Sequence, residues 1–163
     1  MLKEAFSNLW SSSWHLRNSR PTDRTRRLMA LRHAIVAHQA DILMALAGDL
    51  GKNGQMAGAE IAAVLADIDE AVASLEGWMA PVTVEPKRFP TASATVRTEA
   101  KGVVAIFGAW NFPFNLLFQP LVPALAAGNA ILLKANELAP ETGAVAATII
   151  REVFDPSEVL LLE

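Results

Sequence analysis

The chain has 163 residues, 52% of them hydrophobic and 19% charged, with a formal net charge of -3. That balance argues against a disordered chain and leaves no basic footprint for nucleic acid or an anionic membrane. There is no cysteine, which excludes disulfides and removes thiol nucleophiles.

Met1 to Arg20 carries Trp10 and Trp14 among serines, shows no clear period and reads as a loosely docked arm. Lys3, Glu4 and the serines leave no apolar core of a signal peptide there. From Pro21 a helix is expected, with Leu28, Leu31, Ile35, Ile42 and Leu46 on one face. Arg24, Arg26, Arg27 and Arg32 crowd its start; they could hold a phosphate, but a solvated helix face is the simpler reading. His33 and His38 lack a partner at metal-binding spacing and read as structural. Gly48 to Gly54 breaks the helix. Its Gly51-Lys52 is no phosphate loop, because no glycine stands five residues before Gly51 and Asn53 follows Lys52, so it reads as a turn.

A second helix is expected from about Ala57 to Trp78, with Ile61, Val64, Leu65, Ile68, Val72 and Leu75 stepping by three and four. Asp67, Asp69 and Glu70 on its polar side read as solvated acids and not as an acid–base pair. After Pro81, Val82, Val84, Ala94 and Val96 alternate with Thr83, Glu85, Thr95 and Arg97, the period of a strand with one wet face. Pro86 and Pro90 make this an edge ribbon in need of a partner.

Residues 102 to 138 organise the rest. Val103 to Phe107, between Gly102 and Gly108, suits a strand buried on both faces. Ala109-Trp110-Asn111 makes a polar turn, Pro113 opens a helix over Phe114 to Ala127 that Pro120 and Pro123 must split, and Gly128 ends it. Ala130 to Leu133 is a second strand that delivers Lys134, and the whole is a strand, crossover and parallel strand. Asn111, Lys134 and Glu137 therefore lie beyond the carboxyl ends of two strands, where open α/β sheets bind ligands. A helix from Glu141 to Phe154 and a third strand from Val159 follow. The fold class is α/β: N-terminal helices, then the first strands of a parallel sheet. No apolar stretch reaches the ~20 residues of a membrane span, so a soluble, cytoplasmic protein is expected.

Trp-Asn-Phe-Pro-Phe at 110–114, Ala-Leu-Ala-Ala-Gly-Asn-Ala-Ile-Leu-Leu-Lys at 124–134 and Glu-Leu-Ala-Pro at 137–140 resemble the aldehyde dehydrogenase superfamily, most of all its class 3 and coniferyl aldehyde branch. The resemblance implies an N-terminal helical part over 1–81, the beginning of a bridging ribbon over 82–99 that pairs with a neighbouring subunit, and the first half of a Rossmann-like NAD-binding domain over 100–163. In such enzymes a cysteine thiolate attacks the aldehyde, hydride passes to the nicotinamide, and a glutamate assists hydrolysis of the thioester. The resemblance makes Asn111 the side-chain donor to the oxyanion. It places Trp110, Lys134 and Glu137 at the cofactor and Phe112 against the substrate. A lysine and a glutamate grip the adenosine ribose hydroxyls, and the carboxylate favours NAD over NADP. Asp49-Leu50-Gly51-Lys52 matches a helix-end signature of the family. Ala135-Asn136 stand where the family commonly has Pro-Ser. The nucleophilic cysteine, the general-base glutamate and the glycine turn at the pyrophosphate have no counterpart in these residues; Glu60, Glu70, Glu99 and Glu163 all fall outside the required motif. The expectation is an N-terminal fragment of such an enzyme, inert alone; the alternative is a module that assembles with a full-length relative or a separately encoded second half.

Overall fold

The computed structural model describes residues 2–89 and 91–162; Met1, Pro90 and Glu163, assigned above to the arm, the ribbon and the chain end, lie outside the described residues. Four helices come first: α1 (Leu2–Arg17), α2 (Pro21–Ala37), α3 (Gln39–Leu50) and α4 (Gly54–Met79). The ribbon is β1 (Val82–Val84) paired antiparallel with β2 (Ala94–Val96). Then come β3 (Val103–Phe107), the short helices α5 (Asn115–Phe118) and α6 (Leu121–Ala126), β4 (Ala130–Lys134), α7 (Pro140–Val153) and β5 (Val159–Leu162). The three later strands form one parallel sheet in the order β3-β4-β5.

Strand alternation sorts the sheet's side chains between two covers. Ile131, Leu133, Ile106 and Val159 face the main core, which is filled by α2, α3, α4 and α7 and by Phe114, Phe118 and Leu121 of the crossover. Ala130, with Val103, Leu132 and Leu160 beside it, packs against Leu9 and Leu16 of α1 on the other face. Helices therefore flank the sheet on both sides, as a parallel sheet requires. Gly128 takes the left-handed conformation, with φ 83°, that turns the chain from α6 into β4. Among the described residues, no helix is long and apolar enough to cross a membrane.

Several expectations need correction. The N-terminal segment is a docked helix and not a loose arm: Leu9, Ser13 and Leu16 are buried, while Leu2, Phe6, Trp10 and Trp14 line an exposed face. Two apolar stripes on one helix mask its period. The helix expected from Pro21 through Leu46 is two helices, because His38 at φ -93° and ψ 13° interrupts the ladder. The arginine cluster is not uniformly solvated. Arg24 is buried and donates to the carbonyls of Ala126 and Arg17 at 2.9 and 3.0 Å and to Ser19 Oγ at 3.0 Å. Arg27 Nη2 lies 2.9 Å from Glu158 Oε2. Strand β3 is buried only in part, since Ala105 and Phe107 are exposed at the sheet's edge.

Candidate functional site

The strand ends bring two turns together. In the β3–β4 register Phe107 lies opposite Lys134, so the chain leaves both strands at one edge of the sheet. The Gly108 N–H donates to the Lys134 carbonyl at 2.9 Å, and the Asn136 side-chain amide donates to the Gly108 carbonyl at 3.2 Å. Asn136 also folds its own turn, its side-chain oxygen accepting from the Leu138 N–H at 3.1 Å. Asn136, one of the two residues that depart from the pattern of the resembled family, thus ties the two turns.

Trp110, Asn111 and Phe112 occupy the first turn, all solvent-exposed. Pro113 and Phe114 behind them are buried, and the Phe114 ring stacks on Phe118 with centroids 4.5 Å apart. The apolar half of the motif therefore anchors the turn and the polar half faces outward. Lys134 and Glu137 occupy the second turn. Lys134 Nζ lies 3.7 Å from Glu137 Oε2 and donates to the Ala135 carbonyl at 2.6 Å. An open cavity of about 370 Å³ lies beside them, bordered by Asn136, Pro140, Gly143 and Leu161. An ammonium that donates, next to a carboxylate that accepts, matches the hydrogen-bonding needs of a vicinal diol.

Two residues under the first turn went unrecognised in the sequence. Lys52, in the turn between α3 and α4 as expected, is buried, and Glu60 of α4 is buried with it. Lys52 Nζ donates to a Glu60 carboxylate oxygen and to the Asn111 carbonyl, the latter at 2.7 Å. The other carboxylate oxygen accepts from the Asn115 N–H at 3.0 Å, and the ammonium lies 4.2 Å from the centre of the Phe112 ring. A Lys and a Glu eight residues apart, on either side of the helix-capping Asn53, have no local pattern to betray them.

Two other charged clusters join helices of the scaffold. Asp69 holds Arg32 at 2.7 Å, and the Arg32 guanidinium keeps its carboxyl below the usual range. His38 bridges Asp41 and Glu152 at 3.1 and 2.9 Å; hydrogen bonds to Glu152 and then Asp41 raise its pKa. Among the described residues, no group of three His, Cys, Asp or Glu side chains could hold a metal ion.

A parallel sheet flanked by helices, with polar turns gathered at its strands' carboxyl ends, is the general form of a ligand-binding α/β protein. The particular family follows from comparison: residues 3–162 match the aldehyde dehydrogenase family, and the chain belongs to it. It is 38% identical to aldehyde dehydrogenase family 3 member H1 of Arabidopsis thaliana over 129 residues, which are 77% of this chain and 26% of that protein. It is likewise 38% identical to the 4,4'-diaponeurosporen-aldehyde dehydrogenase of Staphylococcus aureus over 143 residues, 86% of this chain and 31% of that protein. Among solved structures, Staphylococcus aureus AldH in its substrate-bound state matches with a TM-score of 0.95 at 31% identity, over 100% of this chain and 36% of that one. The chain spans between about a quarter and just over a third of the length of these relatives.

Proposed function

We propose that the chain supplies the N-terminal part of an NAD-dependent aldehyde dehydrogenase: the ribose-binding half of a nucleotide site and one donor to the oxyanion formed from the substrate aldehyde. The observation that carries this reading is the pair of turns at one sheet edge, one presenting Asn111 and the other the Lys134–Glu137 pair, in a chain of this family. When bound, the nicotinamide cofactor supplies the hydride acceptor. Lys134 would donate to a ribose hydroxyl and Glu137 would accept from one, and Trp110 would border the cofactor. The Glu137 carboxylate would repel a 2′-phosphate, which favours NAD over NADP. Asn111 would aim its amide at the negative charge that develops on the aldehyde oxygen, a contribution of about 3 kcal/mol in comparable sites. Phe112 would wall the aldehyde.

The 163 residues contain no cysteine, so on their own they carry no thiolate to attack an aldehyde. By themselves they are therefore proposed to be inactive. Residues 1–81 and 100–163 would build the nucleotide-binding part, and 82–99 the start of an oligomerising ribbon. The exposed Val82, Val84 and Val96 of that ribbon support a second role, assembly with a full-length relative or a separately encoded second half.

Calorimetric titration of the purified chain with NAD+ and NADP+, beside an assay for aldehyde-dependent reduction of either, tests the reading. The expected result is no turnover, weak binding at best, and NAD+ preferred over NADP+, with any binding lost in Lys134→Ala/Glu137→Ala. Aldehyde oxidation by this cysteine-free chain, or tight NADP+ binding that survives the double substitution, would overturn it.

A further inference from the structure

Lys52 and Glu60 form an ion pair whose side chains are 6% and 2% exposed. Burying two charges is costly, and replacing such a pair with apolar side chains is often neutral or stabilising. Stability alone therefore gives little reason for carrying one. What singles this pair out is where its remaining hydrogen bonds go. The ammonium's second bond reaches the Asn111 carbonyl, and the carboxylate's second oxygen takes the Asn115 N–H. Those two backbone groups bracket the segment Asn111-Phe112-Pro113-Phe114-Asn115. The Asn115 N–H opens α5, and its bond to Glu60 satisfies a donor at the start of that helix. Lys52 follows the Gly51 C-cap of α3 and Glu60 lies in α4, both outside the turn they grip. They connect its backbone to two long helices of the core, while the Asn111 side chain stays exposed.

We infer that the Lys52–Glu60 pair is a positioning device that clamps both ends of the Asn111–Asn115 turn and so fixes the backbone from which the Asn111 side chain projects. The clamp acts through the backbone: Lys52 holds the Asn111 peptide plane and Glu60 the Asn115 plane. The consequence for catalysis rests on Asn111 being the oxyanion donor, but the clamping itself does not.

The test separates positioning from stability. The full chain and its Lys52→Met/Glu60→Met variant are compared by thermal melting and by hydrogen exchange read by mass spectrometry. Both methionines approximate the volume removed, so the variant is expected to melt at or above the parent's temperature. Exchange across residues 111–116 is expected to rise on the order of tenfold or more, because the Asn115 N–H loses a charged acceptor. Exchange in α7 and β4 should stay as in the parent. Unchanged exchange at 111–116 would overturn the proposal, as would a uniform rise in all segments that tracks a fall in melting temperature. If the double variant does not fold, Glu60→Gln decides the matter: its neutral amide pairs more weakly with the ammonium and is a weaker acceptor for the Asn115 N–H than the carboxylate. Faster exchange confined to 111–116 supports the clamp, and unchanged or uniformly faster exchange refutes it. Neither measurement involves an aldehyde or a nucleotide, so failure of the clamp is distinguishable from failure of the proposed function.

Discussion

Gly128→Ala tests how the crossover is held. Gly128 sits at φ 83°, and a Cβ there would lie 2.6 Å from Arg24 Cζ, 2.7 Å from its Nη2 and 2.9 Å from the Leu16 carbonyl oxygen. An arginine head at the surface would swing away at small cost. This one is buried and makes three hydrogen bonds, to Ser19, Ala126 and Arg17, and the Leu16 oxygen is backbone. The left-handed conformation costs a non-glycine residue about 1–2 kcal/mol, and overpacking a closed site adds about 1–3 kcal/mol. The expected destabilisation is on the order of 3 kcal/mol, which for a chain of this size lowers the melting temperature by roughly 6–12 °C. Urea melts followed by circular dichroism measure it. Gly58→Ala is the control: it lies within α4, a Cβ there meets nothing within 4 Å, and stability should rise by about 0.5–1 kcal/mol. If Gly128→Ala lost less than about 1 kcal/mol, Arg24 could move freely and the account of a locked crossover would fail.

The other predictions concern the helix ends, pH and the open edges. Asp49 of α3 accepts from the Glu141 N–H at 3.0 Å and from the Thr142 N–H and hydroxyl, both at 2.7 Å, so it caps α7, whose own N-cap Ala139 has no capping side chain. Asp49→Ala should cost about 1–2 kcal/mol in a urea melt, and Asp49→Asn should recover part of it. His38, its pKa raised by Glu152 and Asp41, should stabilise the fold fully below the ordinary histidine value of 6.5, and this contribution should fade as pH rises through the higher folded value. His38→Gln should flatten that part of a stability–pH profile, and an unchanged profile would remove His38 as its source. With β3 and β5 as open edges and Trp10, Trp14, Phe107 and Trp110 exposed, the isolated chain should associate as its concentration rises. A monodisperse, protease-resistant monomer in sedimentation and light scattering would contradict that.

The elements easiest to read from the chain were those whose determinants are local. Val103 to Phe107 and Ala130 to Lys134 are short apolar runs bounded by glycine or polar turns, and Pro120 marks the break between α5 and α6. The Trp110–Phe114 motif could be located because its residues adjoin. Helix α1 was hidden because Leu9 and Leu16 face the sheet while Phe6, Trp10 and Trp14 face solvent, so its apolar residues fall on two stripes instead of one. Arg24 and Arg27 looked solvated because charge usually stays outside. Arg24 is accommodated by carbonyls at the ends of α1 and α6, from residues 7 and 102 positions away. Long-range partners of that kind leave no spacing in a sequence.

The same contrast explains how the candidate site is built. Its outward residues, Trp110, Asn111, Phe112 and Glu137, are exposed and contribute little packing, so the turns that carry them need support from beneath. Phe114 supplies part of it by entering the core, and Asn136 ties the second turn to the first through the Gly108 carbonyl. The rest comes from polar contacts to the backbone, which hold direction as well as depth because hydrogen bonds weaken steeply off axis. An apolar contact beneath the turn would stabilise it without fixing which way the Asn111 peptide faces. A charged pair with one partner at each end of the turn restricts that rotation. On the proposed reading, the Lys52–Glu60 pair adds to the apolar core below it a hold on the direction of the backbone that carries Asn111.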